Sequence, residues 1–166
     1  MELTRIISGG QTGADQAGLF VAERFGIPTG GWAPKGWITS KGPAPALLRD
    51  RFHLTEFPGG YRERTGKNVQ DSDGTIRLAV DFTTGGEVCI LEACEHLRKP
   101  RCDVDLNHLR PVADVVAWIR EHHIQVLNVA GNRERPQTPG TFRAACFYLR
   151  DVLEVLGDRL LPTEAA

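Results

Sequence analysis

The sequence predicts an α/β fold, a doubly wound and mostly parallel sheet with helices on both faces. Short apolar runs alternate with longer stretches of helical periodicity, which is typical of a parallel sheet covered by its crossover helices. Glycine-rich turns follow several of the apolar runs, as expected at strand ends. The 166 residues fit one domain, 1–166, with a sizeable core.

The first elements are bounded by glycine and proline. An apolar run at 5–8 predicts a strand, helical periodicity follows at 14–25, and a second short strand is predicted at 29–32. Residues 34–73 are rich in proline and glycine and show weak periodicity. A loop of this length is usually functional, so we predict a lid or a binding loop there.

Regular alternation returns in the second half of the chain. Strands are predicted at 75–81, 101–105 and 125–130, and helices at 87–97, 111–122 and 141–156. The strands are short and bounded by turns, whereas the helices repeat apolar residues three and four positions apart. The tail, 162–166, is expected to fray.

Composition argues against several classes of function. The net charge of −1 argues against a nucleic-acid surface. No stretch approaches the roughly 18 consecutive apolar residues of a membrane span, and the N-terminus lacks a signal-peptide pattern. We therefore expect a cytoplasmic protein that does not bind membranes. The four cysteines show neither a C-x-x-C pair nor zinc-finger spacing, so no protein-ligated metal is expected.

The segment 8–18 carries the strongest functional signal. A strand leads into a glycine-rich turn, and a helix opens at about Gly13. This layout directs unpaired backbone N–H groups and the positive end of a helix dipole at one small cavity, which suits a phosphate. The turn lacks the lysine of the Walker A motif and does not fit G-x-G-x-x-G, which argues against an NTPase and a standard dehydrogenase.

Two further turns, 83–86 and 130–133, also follow apolar strands. Ligands of doubly wound sheets lie beyond the carboxyl ends of the strands. We therefore predict that these turns and the first one, 9–13, converge on one anion pocket. The alternative for each turn is that glycine only permits tight geometry.

Polar side chains in the turns are candidates for specificity. Gln11 and Thr12 can donate hydrogen bonds to phosphate or ribose. Asp15 either complements the helix dipole or accepts from a ligand hydroxyl. Thr83 and Thr84 either cap a helix or contact phosphate.

Basic clusters occur at 49–51, 62–67 and 133–135. We interpret them, Arg64 included, as solvated surface, with the last cluster as the exception because it lies in a glycine- and proline-rich turn. There Arg133 suits a bidentate contact with phosphate, and Asn132 can hydrogen-bond the edge of a base or pterin. Lys35 lies in a turn between Trp32 and Trp37, which either stack on a planar ligand or pack in the core.

Several of these motifs together resemble a known family. Gly-Gly-Gln-Thr-Gly-Ala-Asp (9–15), Trp-Ala-Pro-Lys-Gly (32–36), Arg-Thr-x-x-Asn-Val-x-x-Ser-Asp-Gly-Thr (64–75), Gly-Gly (85–86) and Asn-Val-Ala-Gly-x-Arg-Glu (128–134) are similar to the molybdenum (molybdenum-cofactor) carrier proteins. That family is a circularly permuted branch of the SLOG superfamily of Rossmann-like nucleotide-binding proteins. The resemblance implies a Rossmann-like fold, a homodimer or homotetramer, and a pocket for a phosphate-bearing ligand.

The resemblance also bears on catalysis. The related phosphoribohydrolases carry G-G-x-G-T-x-x-E, and this chain matches the two glycines and the final glutamate, Glu92. Val88 and Cys89 replace the inner glycine and threonine, which argues against N-glycosidic hydrolysis.

We therefore expect a binding protein for a phosphorylated small molecule, with the molybdenum cofactor or a nucleotide as the bound ligand. The alternatives are a nucleotide phosphoribohydrolase, with Glu92 or failing that Glu87 or Asp15 as the catalytic carboxylate, and a nucleotide sensor. The turns and the resemblance together predict these ligand-binding residues: Gly9, Gly10, Gln11, Thr12, Gly13, Asp15, Lys35, Asp73, Thr83, Thr84, Gly85, Gly86, Gly131, Asn132 and Arg133.

Overall fold

A parallel sheet of five strands forms the centre of the computed structural model, which describes residues 3–158. The predicted tail, 162–166, lies outside these residues. In chain order the elements are β1 (Arg5–Ile7), α1 (Ala14–Arg24), β2 (Thr29–Gly30), β3 (Trp32–Ala33), β4 (Ile38–Thr39), β5 (Gly42–Pro43), β6 (Thr55–Glu56), α2 (Tyr61–Gln70), β7 (Gly74–Ala79), α3 (Gly85–His96), β8 (Arg101–Asp105), α4 (Val112–Glu121), β9 (Val126–Gly131) and α5 (Thr141–Asp158).

The strand order of the central sheet is β2-β1-β9-β7-β8, and every neighbouring pair is parallel. From β1 the chain moves outward to β2, whereas from β7 it moves outward to β8 at the other edge. It then returns to place β9 between β1 and β7. Because all five strands point the same way, the turns after β1, β7 and β9 lie together beyond the carboxyl ends of the strands, which we call the carboxyl edge of the sheet. The point of this edge where the strand order reverses is the usual ligand position in such folds.

Helices cover both faces of the sheet, which confirms the predicted Rossmann-like α/β fold. Alternate residues of β7 explain the two layers. Ile76 and Leu78 lie in the main core with α1, α4 and α5. Thr75 and Arg77 belong to the opposite face, where α3 covers Arg77. Within residues 3–158 no helix combines the length and apolar character that a bilayer crossing requires.

The segment 34–73 is not a single loop. It contains a 3₁₀ turn (Lys35–Trp37), the β4–β5 hairpin, a π-helical turn (Ala46–Arg51), β6 paired with β3, and α2. The predicted strand 29–32 is likewise divided, because β2 pairs with β1 and β3 pairs with β6.

Helix α2 was not predicted, because the buried face of this helix is polar. Its buried residues are Arg64, Thr65, Asn68 and Val69, of which Val69 alone is aliphatic. Apolar periodicity, the main signal for a surface helix, is therefore nearly absent.

Replacing Gly18 by Ala should destabilise the protein. A Cβ at Gly18 would lie 2.6 Å from Cβ of Val129 on β9, so α1 would have to move from the sheet, at a cost of about 1–3 kcal/mol. Gly66→Ala in α2 is the matched control, because nothing lies within 4 Å of its Cβ position and helix propensity favours Ala by about 0.5–1 kcal/mol. Urea unfolding of both variants measures the difference, and equal effects would contradict close packing at Gly18.

Candidate functional site

Two adjoining cavities lie at the carboxyl edge of the sheet. The larger, of about 400 Å³, lies between the start of α3 and the turn after β9. The smaller, of about 30 Å³, lies between the turn after β1 and α2. Tyr61, Gly131 and Arg133 line both cavities. Gly85 and Gly86 line the larger cavity, and Gly9 lines the smaller one.

The N-terminus of α3 opens into the larger cavity. Its N-cap, Thr84, has an extended backbone and forms no side-chain cap, so the first N–H groups of the helix at Gly85 and Gly86 are left for another acceptor. Thr83 is committed elsewhere, because its N–H and hydroxyl both donate to Oδ1 of Asp81, at 2.8 and 2.6 Å. Neither threonine fills the capping role that was the alternative for them.

The backbone N–H groups of the first glycine turn are hydrogen-bonded to side chains of the protein itself. The N–H of Gly10 donates to Oγ of Ser8 at 3.1 Å, and that of Gln11 donates to Oδ2 of Asp15 at 3.2 Å. The N–H of Thr12 donates to Oε1 of Gln11 at 3.2 Å. These three donors, which we expected to bind a phosphate, therefore have partners inside the protein.

Two glycines of this turn serve packing. A Cβ at Gly13, where φ is +89°, would overlap the carbonyl oxygen of Asn132, which accepts from Ala14 N–H at 3.0 Å. The glycine therefore lets α1 start directly against the turn after β9. A Cβ at Gly10 would meet the side chains of Leu48 and Leu54, so this residue faces a small apolar cluster rather than a ligand.

Asp15 is a buried carboxylate that lines the smaller cavity. Burial raises its pKa to about 6, although Arg64, the Gln11 N–H and Arg133 act in the opposite direction. The Asp15 carboxylate thus takes the position in the first turn where we expected a phosphate. Asp15 therefore makes specific contacts with this turn, besides complementing the helix dipole.

Arg64 lies inside the protein, so its interpretation as solvated surface is wrong. It is 5% exposed, and its Nη1 donates to the carbonyl oxygens of Gly9 at 3.1 Å and Trp32 at 3.3 Å. Its Nε has no hydrogen-bond partner within the described residues. The polar face of α2 therefore brings a guanidinium into the cavity wall beside Asp15.

Glu87 is the second buried carboxylate of the site. It is 1% exposed, its Oε1 accepts one long hydrogen bond of 3.3 Å from Asn132, and its Oε2 accepts none from the described residues. Nε of Arg77 lies 3.6 Å from Oε2, but the same guanidinium donates two bonds to Asp103, at 2.9 and 2.7 Å. Burial therefore dominates and raises the pKa of Glu87 to about 8.

Two polar side chains predicted to contact a ligand hold neighbouring segments of the chain together, Asn132 through both ends of its amide and Gln11 through Oε1 alone. Oδ1 of Asn132 accepts from Val80 and Asp81 N–H at 2.8 and 2.9 Å, and its Nδ2 donates to the Asp81 carbonyl and to Glu87. Both ends of the amide are in use, so Asn132 is not free to contact the edge of a base. Oε1 of Gln11 likewise accepts from Ser40 N–H at 2.8 Å, besides Thr12.

The turn after β9 contributes Gly131 and Arg133. A Cβ at Gly131 would overlap the carbonyl oxygen of Leu78, so glycine is needed where β9 passes the end of β7. Arg133 is half-buried, and within the described residues its guanidinium forms no ion pair. Its guanidinium is therefore available for an anion in either cavity, as is that of Arg135 in the larger one.

Seven predicted residues do not line either cavity: Gly10, Thr12, Gly13, Lys35, Asp73, Thr83 and Glu92. The first glycine turn and Thr83 lie close to the cavities, whereas Lys35, Asp73 and Glu92 lie elsewhere. Lys35 is exposed on the 3₁₀ turn. Asp73 precedes β7 at the opposite edge of the sheet, where its Oδ2 accepts from Gln125 and Val126 N–H at 3.0 and 2.8 Å. Glu92 is exposed on α3, pairs with Arg62 and lines a separate groove between α2 and α3.

Sequence reasoning missed Tyr61 and Arg77, and it gave Arg64 the wrong environment. Tyr61 follows a glycine pair, 59–60, at the start of α2, which was the available signal for it. Arg77 lies within a predicted strand whose other residues are mostly apolar, and such a buried arginine must have a partner. Across the described residues, 3–158, no three His, Cys, Asp or Glu side chains form a group that could hold a metal ion.

Comparisons with known proteins agree with this architecture. Residues 6–153 match the circularly permutated YpsA SLOG family, and the chain belongs to that family. A solved structure from Syntrophus aciditrophicus SB, named a putative molybdenum carrier protein, is 39% identical, with a TM-score of 0.81 over 91% of this chain and 95% of that chain. No curated protein matches.

Glu87→Gln should change how stability depends on pH. Because burial raises the pKa of Glu87 from its ordinary 4.5 to about 8, the folded protein holds an extra proton between these values. The stability linked to this proton is complete below about pH 4.5 and is lost as pH rises through about 8. In urea unfolding between about pH 5 and pH 9, wild type should lose stability relative to Glu87→Gln as pH rises.

Glu95→Gln is the control, since Glu95 is exposed on the same helix. A difference between wild type and Glu87→Gln that stays constant with pH would contradict the raised pKa of Glu87.

Proposed function

We propose that this protein binds a phosphorylated small molecule in the larger cavity and performs no chemistry on it. One observation carries the proposal: the uncapped N-terminus of α3 at Gly85 and Gly86 opens into the same cavity as Arg133 and Arg135. Backbone N–H groups, the positive end of a helix dipole and guanidinium groups are the donors that phosphates use in proteins. The phosphate would therefore lie against α3, and not in the first glycine turn.

The molybdenum cofactor and a nucleotide are the two candidate ligands. The name of the Syntrophus protein favours the cofactor, whose phosphate matches the α3 N-terminus and the two arginines. Bound in this way, the cofactor would retain its metal through its own dithiolene. A nucleotide would place the same kind of phosphate on the same donors.

The protonation state of Glu87 fits an anion at this place. Glu87 is one of the residues that line the larger cavity, and its carboxyl is buried in the wall. A pKa of about 8 leaves this carboxyl neutral at neutral pH. A neutral carboxyl in the wall avoids charge repulsion with a phosphate bound in the cavity.

Assembly into a homodimer or homotetramer, a cytoplasmic location and a role as a nucleotide sensor remain predictions. A sensor would change its assembly when the ligand binds. Light scattering with and without nucleotide tests for that change.

Arg133→Ala should weaken phosphate binding. The loss of a hydrogen bond to a charged group should reduce the binding free energy by about 1.5–3 kcal/mol. Arg24→Ala is the matched control, because Arg24 is exposed at the C-terminal end of α1, at the opposite edge of the sheet. Isothermal titration with adenosine 5′-monophosphate measures both variants, and equal affinity of Arg133→Ala and wild type would remove Arg133 from the site.

A second candidate function is hydrolysis of a nucleotide N-glycosidic bond, with Glu87 as the carboxylate. Asp15 lines the smaller cavity and Glu87 the larger one, whereas Glu92 is exposed in a separate groove. A catalytic carboxylate must lie within hydrogen-bond reach of the reacting group. The structure therefore favours Glu87 over the glutamate that matches the phosphoribohydrolase motif.

Release of free base from a panel of nucleoside monophosphates tests this second function. If the protein is a hydrolase, Glu87→Gln should lower the rate by about 100-fold or more, while Glu92→Gln should retain it. Absence of release by wild type would leave binding as the function, and loss of activity in Glu92→Gln alone would contradict the role of Glu87.

A further inference from the structure

We infer that Tyr61 selects ligands that carry a planar ring next to the phosphate. This inference rests on the proposed function and adds the chemical class of the ligand's second part. Tyr61 is the first residue of α2, is 41% exposed, and lines both cavities.

The tyrosine ring adjoins the expected phosphate position. Its hydroxyl lies 3.1 Å from the Cβ position of Gly86, at the start of α3. A ring joined to the phosphate by a short linker, as in a nucleoside monophosphate or a pterin phosphate, can therefore reach Tyr61.

Two guanidinium groups lie over the tyrosine ring, and they differ in how they are held. Cζ of Arg64 is 5.2 Å from the ring centroid, and Cζ of Arg133 is 5.6 Å from it. Arg64 is buried and bonded to two carbonyl oxygens, so it fixes the ring in place. Arg133 has no ion pair within the described residues, and it can turn from the ring to a phosphate. This movement uncovers ring surface beside the phosphate, and a planar group can stack there.

The two tryptophans for which stacking on a planar ligand was one of two alternatives do not line these cavities. The indole N–H of Trp32 donates to Asp71 at 2.8 Å, and its ring packs edge-on against Phe57 with centroids 5.7 Å apart. Trp37 packs against the apolar cluster that includes Leu48. Among the described residues that line either cavity, Tyr61 is the only aromatic one.

The test compares adenosine 5′-monophosphate with ribose 5-phosphate, which has the same phosphate and sugar but no base. Isothermal titration is performed on wild type, Tyr61→Ala, Tyr61→Phe and Arg133→Ala. Tyr61→Ala should lower the affinity for the nucleotide about tenfold and leave that for ribose 5-phosphate within about twofold. Tyr61→Phe should keep both affinities, because the ring remains. Arg133→Ala should weaken the binding of both ligands.

The outcomes separate this inference from the proposed function. Equal losses of affinity for the two ligands in Tyr61→Ala would overturn the selection of planar rings, and so would a loss of affinity in Tyr61→Phe as large as that in Tyr61→Ala. Either result would leave the proposed function standing. Failure of wild type to bind either probe would overturn both the proposed function and this inference. Thermal unfolding of each variant identifies losses caused by misfolding. If Tyr61→Ala does not fold, a loss of about tenfold in nucleotide affinity in Tyr61→Phe, which keeps the ring, would still overturn the inference, and retained affinity would support it.

Discussion

The burial of the Asp15 carboxylate is the constraint on which the site depends. A carboxylate removed from water must gain hydrogen bonds and opposite charge in return. The Gln11 N–H, Arg64 and Arg133 provide these, and they come from three different parts of the chain. Asp15 therefore links the first turn, α2 and the turn after β9. It also uses donors that would otherwise be free for a ligand.

The glycine-rich turns are similar in sequence but have different structural roles. Gly13 and Gly131 allow neighbouring backbones to approach, because a Cβ at either would overlap a carbonyl oxygen. Gly85 and Gly86 begin a helix whose first N–H groups lack a side-chain cap. Sequence alone cannot separate these roles, since glycine follows a strand in both cases. Whether the N–H groups of a turn are available to a ligand depends on whether a nearby side chain, such as Asp15, already accepts hydrogen bonds from them.

The same limit explains which parts could be predicted. The strands and helices of the central sheet follow from apolar periodicity, and the position of the candidate site follows from the parallel topology. Helix α2 could not be found in this way, because Arg64, Thr65 and Asn68 form its buried face. The roles of Asn132 and Asp73 were also hidden, since hydrogen bonds within the protein and hydrogen bonds to a ligand require the same side-chain chemistry. Only the folded chain shows which atoms are already paired.

The four hydrogen bonds of the Asn132 amide have a consequence for recognition. Three of them join the turn after β7 to the turn after β9, and the fourth reaches Glu87 on α3. Residues of both turns line the larger cavity. The width of the cavity is thus fixed by hydrogen bonds within the protein, without a ligand. For the ligand proposed above, little backbone freedom would be lost on association, and preorganisation of this kind favours tight complexes with small molecules.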